Sequence, residues 1–197
     1  MKASASRGAN TALLLTGIVA LATPSMAQMQ FDAFVNPDSG TDSATTTGTA
    51  SDPFETMTFA LSSLGAGPSD SVTLHLEEGV YSALDGEQFP IVVSSSLVLT
   101  AVNPGTVFID GIRGSAPSTD GFILTGSQVA ANGFRMRSDG TCFEISGDVD
   151  DVDFDDLLLT GDGIIDMSTE AGGFDARFKV SNCTFKGDSF GIAANYA

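Results

Sequence analysis

The feature that most restricts what this chain can fold into is a repeat. Three stretches of 21 residues align without gaps: "SQVAANGFRMRSDGTCFEISG" from Ser127, "DDVDFDDLLLTGDGIIDMSTE" from Asp150 and "ARFKVSNCTFKGDSFGIAANY" from Ala176. Self-similarity at a period of this size marks a solenoid. The third, fifth, eighth and tenth columns are apolar in every copy: Val129, Ala131, Phe134, Met136; Val152, Phe154, Leu157, Leu159; Phe178, Val180, Cys183, Phe185. Two apolar pairs at period two, separated by a change of phase, describe two short strands meeting at a bend. The bend holds residues that tolerate unusual backbone angles, Asn132-Gly133, Asp155-Asp156 and Ser181-Asn182. The thirteenth column is aspartate each time, Asp139, Asp162 and Asp188. Each copy therefore reads as one coil of strand, bend, strand, Asp-centred turn and strand, and stacked coils bury a core that no single one can.

The chain ahead of the repeats is strand-rich too. "SVTLHLEEGVY" alternates Val72, Leu74 and Leu76 against Thr73 and His75, and "FPIVV", "SLVLTAV" and "TVFIDG" are short apolar runs closed by turn residues. A further strand is expected at residues 31–35. One segment departs from this pattern. In "GTASDPFETMTFALSSL", Asp52 stands as an N-cap, Pro53 at the first helical position and Glu55 at the third. Phe54, Met57, Ala60, Leu61 and Leu64 recur at helical spacing before Gly65 and Gly67, which predicts a short amphipathic helix over residues 52–64 with one apolar face to bury. In the preceding loop Asn36, Asp38 and Asp42 resemble the spaced oxygens of a calcium loop, but the bidentate Glu that completes one is missing. Turns in which these side chains bond their own backbone explain them better.

The first residues are a targeting signal in pattern: Lys2 and Arg7, the apolar run "ALLLTGIVALA", then small residues at Ser25 and Ala27. This predicts a secretory signal peptide over residues 1–27, with a bacterial host suggested by its terseness. The run is too short to span a bilayer. The chain has 8 basic and 25 acidic residues, a net charge of −17 that deepens once Lys2 and Arg7 are removed. That argues against nucleic acid and anionic lipid as partners; it would also repel a polyanionic sugar unless a cation intervened. Export makes a disulfide between Cys142 and Cys183 conceivable, although the two occupy different columns. Asn182-Cys183-Thr184 matches the glycosylation acceptor pattern, a coincidence in a bacterial host. His75 sits on the polar side of its strand with no nucleophile in sequence beside it, which points to a surface or capping role.

The segments "FVNP", "SGTDS", "GTASDPFETMTFAL", "LEEGVYS", "GEQFPI" and "TVFIDG" follow one another in the order and spacing of a known domain. Residues 34–111 resemble the domain of uncharacterised function that opens many secreted right-handed parallel β-helix, or pectin-lyase-like, proteins. The resemblance implies an all-β fold, a right-handed parallel β-helix (solenoid) in which the helix caps the first coil and shields its open strand edges. Residues 28–70 would then form the strand, loop and capping helix, and residues 71–197 the coils. The end at "FGIAANYA" falls in mid-coil, which suggests a truncated chain or an end covered by another chain.

The sharpest candidate for chemistry is the acidic run "GDVDDVDFDDLLLTGDG". On one strand Asp151, Asp153 and Asp155 share a face with neighbours about 6–7 Å apart, a spacing that overlaps inverting glycoside hydrolases and that can hold calcium (Ca2+). The repeat offers a plainer account, since its register sets Asp151 opposite Arg177 and Asp153 opposite Lys179 on the next coil. Polygalacturonase-like hydrolases carry Gly-His-Gly and Arg-Ile-Lys motifs, absent here; lyases of the fold use acids with a basic residue, for which Arg135 and Arg137 are available. Two functions stay open: a secreted, non-catalytic module that binds or displays itself at extracellular polysaccharide, or the N-terminal part of a polysaccharide lyase or glycoside hydrolase.

Overall fold

A computed structural model describes residues 28–112, 114, 120–146, 149–169, 177–187 and 192–196. Residues 1–27, where a signal peptide is expected, Asp188 and residues 170–176 lie outside them. The described chain is mostly β, with one α-helix, α1 (Met57–Leu64). Its strands are β1 (Gln30–Val35), β2 (Ser71–Leu76), β3 (Gly79–Ser82), β4 (Ile91–Val93), β5 (Ser96–Ala101), β6 (Val107–Asp110), β7 (Phe122–Leu124) and β8 (Gln128–Asn132). They continue with β9 (Arg135–Arg137), β10 (Thr141–Ser146), β11 (Asp151–Asp155), β12 (Leu158–Thr160), β13 (Gly163–Thr169), β14 (Arg177–Ser181), β15 (Thr184–Lys186) and β16 (Ile192–Tyr196). From β2 onward every third strand returns to the same sheet, and β1 adds to the edge of the first. The first sheet runs β1-β2-β5-β8-β11-β14, the second β3-β6-β9-β12-β15 and the third β4-β7-β10-β13-β16. All pairings between these strands are parallel, which makes a β-helix-like solenoid.

The repeat sets the register of the first two sheets. Val129, Val152 and Phe178 stack in one column and Ala131, Phe154 and Val180 in the next; Met136, Leu159 and Phe185 do the same in the second sheet. The three bends are turned by residues at positive φ, Gly133 at 79°, Asp156 at 51° and Asn182 at 54°. The side chains that point inward from the three sheets meet in one core. Aromatic rings join its walls: Phe122 stacks on Phe143 at 5.4 Å, and Phe143 of the third sheet meets Phe154 of the first at 4.9 Å.

The gapless alignment slips at the Asp-centred turn. β10 pairs with β13 so that Thr141 faces Gly163 and Phe143 faces Ile165, one residue out of phase with the columns. The turn at Gly161–Asp162 is one residue shorter than that at Ser138–Gly140. A slip of one residue exchanges inward and outward side chains, and the third sheet presents a different face from the one the alignment gives.

The helix begins later than its cap signals indicate. Thr56, not Asp52, is the N-cap, and its hydroxyl accepts from the Phe59 amide. Residues 53–55 are claimed by distant partners instead. Phe54 donates to the Phe34 carbonyl and accepts from the Asn36 amide, pairing with the edge of β1. Asp52 accepts from the backbone and hydroxyl of Thr47. The approach is so close at Gly40 that a Cβ there would overlap the Phe54 carbonyl. Gly65 ends α1 in the left-handed region, at φ 61°. Met57 and Ala60 are its buried residues, and the strand it lies against is β1, which itself pairs with β2. Val72, Leu74 and Leu76 belong to the same buried core as Met57 and Ala60.

Candidate functional site

Outward residues of the first sheet form ladders across its strands. Asp151, Asp153 and Asp155 do share one face of β11, because Val152 and Phe154 between them are buried. Each carboxylate is engaged by the next coil. Arg177 reaches Asp151 at 3.1 Å and Lys179 reaches Asp153 at 2.9 Å, as the repeat register required. Asp155 accepts from the Ser181 hydroxyl at 2.8 Å and the Asn182 amide at 3.0 Å, bonds that hold its carboxyl below the ordinary range. Among the described residues no group of three or more His, Cys, Asp or Glu converges as a metal ion would need. Asn36 caps a turn through the amides of Asp38 and Ser39.

One outward ladder runs the full width of this sheet: Phe34, His75, Thr100, Asn132, Asp155, Ser181. Beside it runs Asp32, Thr73, Val98, Ala130, Asp153, Lys179. Small side chains in the middle, Val98 and Ala130, leave a shallow depression of about 340 Å³ between Thr100, Asn132, Asp153, Asp155 and Lys179. Outside the depression, at the β1 end of the first ladder, His75 stacks on Phe34 with ring centroids 4.6 Å apart, and the His75 Nε2 lies 2.8 Å from an Asp32 oxygen. The sole histidine is thus tied to its own strand neighbours on the outer surface.

The third sheet holds acids that sequence reasoning missed. Glu144 and Asp166 are direct register partners on β10 and β13. Burial, then Asp120 and then Asp166, raise the Glu144 carboxyl above its ordinary range. One oxygen of Asp166 is buried without a hydrogen-bond partner, and Asp120 accepts from the Thr141 amide at 2.7 Å. Only the shorter turn brings Glu144 and Asp166 together.

Other candidates are occupied structurally. Arg137 makes a two-pronged pair with buried Asp110, at 2.7 and 2.6 Å, and lies over the Phe108 ring. Arg135 is exposed on the same sheet. Cys142 and Cys183 are free thiols; burial pushes that of Cys142 up to about 12. Glu87 is only 4% exposed and accepts from the Met57 amide, the Thr58 amide and the Thr58 hydroxyl. Asp42 accepts from the Glu55 and Thr56 amides and the Thr56 hydroxyl. Both carboxylates serve the start of α1, where unpaired amides favour negative charge. No helix among the described residues is long and apolar enough to cross a membrane.

The model of a family described as a protein of unknown function (DUF1565) matches residues 39–139, more than half of the chain. No curated protein and no solved structure matches. The matched span includes Asp42, Glu87 and the Asp110–Arg137 pair, and stops before the acidic strand β11.

Proposed function

The chain belongs to this family of unknown function, DUF1565, and from that premise we propose that it is a secreted module of right-handed parallel β-helix, pectin-lyase-like architecture that binds extracellular polysaccharide without cleaving it. Residues 28–70 close the first coil, with α1 as the lid over the open end. The observation that carries the binding reading is the depression between Thr100, Asn132, Asp153, Asp155 and Lys179. Flat polar sheet faces with a shallow groove suit an extended chain of hydroxyl groups better than a compact ligand, which needs a deep and mostly apolar pocket.

The test is retention of the protein on a polysaccharide array, run beside a release assay on the same substrates with and without calcium. Retention without soluble product is expected. Replacing Ala130 by Arg fills the depression from a surface position and should abolish retention while the melting temperature holds. Product formation by the unaltered protein would sink the binding-only reading.

One observation favours a second reading, the N-terminal part of a polysaccharide lyase or glycoside hydrolase. Glu144 and Asp166 stand opposite each other on strands about 4.8 Å apart, near the separation of the two carboxyls in retaining hydrolases. The raised Glu144 carboxyl is the kind that serves as a general acid. On this reading Glu144→Gln removes product release that Asp153→Asn leaves intact.

A further inference from the structure

We propose that the first-sheet face takes a neutral saccharide chain lying along the stack of coils, with the Phe34–His75 stack as its apolar shoulder and Thr100, Asn132 and Asp155 as successive polar contacts. This rests on the polysaccharide-binding reading and narrows it to a ligand class and a direction.

Direction comes from register. Phe34, His75, Thr100, Asn132, Asp155 and Ser181 are consecutive partners across six parallel strands, which spans about 24 Å at roughly 4.8 Å per strand. A chain running along the strands would leave the sheet within a few residues, since β8 and β11 have five each. A chain running across them meets one outward side chain of this ladder on every coil.

Chemistry comes from what those side chains still offer. Among the described residues the Thr100 hydroxyl and the Asn132 amide are engaged by no other side chain, whereas both side-chain hydrogen bonds to Asp155 fall on one of its oxygens. An amide supplies both donors and acceptors and a carboxylate only acceptors; sugar hydroxyls complement both. His75 and Phe34 present an apolar surface beside them, as sugar-binding sites combine a ring face with a few placed polar groups.

Charge selects the class. The face carries Asp32, Asp151, Asp153 and Asp155, and its two cations, Arg177 and Lys179, are already paired with Asp151 and Asp153. An acidic sugar would bring further negative charge to carboxylates with no free cation on this face among the described residues, a repulsion that a neutral chain avoids.

The experiment measures binding of the whole chain by calorimetry to neutral hexasaccharides (β-1,4-linked glucose, mannose and xylose) and to hexagalacturonate, at low and at physiological salt. At least one neutral chain should bind at least about tenfold more tightly than the acidic one. His75→Gln, which removes the ring, and Asn132→Ala, which removes the amide, should each weaken that binding about tenfold, the loss of one hydrogen bond or ring contact. Thermal melts confirm that each variant is folded, and either one alone tests the placement. Equal or tighter binding of hexagalacturonate overturns the neutral class while leaving the module a polysaccharide binder. Neutral binding untouched by whichever variant folds overturns the placement. No binding to any of the sugars overturns the polysaccharide reading and this inference with it.

Discussion

The two ends of the described stack are held by different means. Around α1 and β1, buried or half-buried carboxylates reach across long stretches of sequence to bind backbone amides: Asp42 to Glu55 and Thr56, Glu87 to Met57 and Thr58, Asp70 to Met29. Between β11 and β14 the charged side-chain contacts are exposed ladders between equivalent positions, Asp151–Arg177 and Asp153–Lys179. A ladder rung can be exchanged for another pair without moving the backbone. A carboxylate that satisfies the first amides of a helix has one place to be, since the backbone groups it serves have no other partner.

If the coils depend on their core rather than their ladders, a core deletion is the largest blow available. Phe154 is fully buried and touches Phe143 at 4.9 Å and Phe178 at 6.2 Å, so it links two sheets and two coils. Phe154→Ala is expected to cost about 3–5 kcal/mol, read as a lowered midpoint of chemical denaturation. A loss below about 1 kcal/mol would show that the ladders carry more of the stack than their exposure suggests.

The opposite end responds to pH through Glu87. Burial raises its carboxyl to about 7, against the pull of the hydrogen bonds from Met57 and Thr58, while an unfolded glutamate titrates at about 4.5. Between those values the folded protein holds a proton that the unfolded chain has released. The stabilisation from this group is therefore complete below about pH 4.5 and is lost as pH rises through about 7, a swing of up to about 3 kcal/mol. Glu87→Gln has no such proton to lose, so its stability relative to the parent should improve steadily from pH 5 to pH 8. Parallel curves of melting temperature against pH for the two proteins would refute the shift.

The same contrast decides what could be read from the residues. The bend at Gly133, Asp156 and Asn182, the inner columns through Val152 and Leu159, and the Asp151–Arg177 rung all follow from local pattern, because parallel coils repeat one environment and each copy testifies for the others. The start of α1 did not follow. Asp52-Pro53-Phe54-Glu55 satisfies every local rule for a helix N-terminus, yet the edge of β1 takes Phe54 and Asp42 takes the next amides. Nothing near Asp52 in sequence announces either competitor. Glu87 was equally silent, its partners lying 29 and 30 residues away. The Glu144–Asp166 pair was hidden by a turn one residue shorter in one coil than in the next, too small a change to disturb the apolar columns upstream and large enough to move Glu144 opposite an acid.

The smallest effect is expected where the sequence was most readable. Arg177 is 82% exposed, and its partner Asp151 is 37% exposed. Solvent screens such a pair and the long arginine side chain loses rotamer freedom to make it, so Arg177→Ala should cost no more than about 0.5 kcal/mol. Arg177→Asp is more informative, since it sets two like charges directly opposite across parallel strands, a destabilising arrangement. Its effect should fade in 1 M salt, where screening acts within about 3 Å, whereas the Phe154→Ala loss should not. A melting temperature that Arg177→Asp leaves unchanged at low salt would mean that β14 is not held in the register seen here, and would then move the ladder of Asp155 and Ser181 with it.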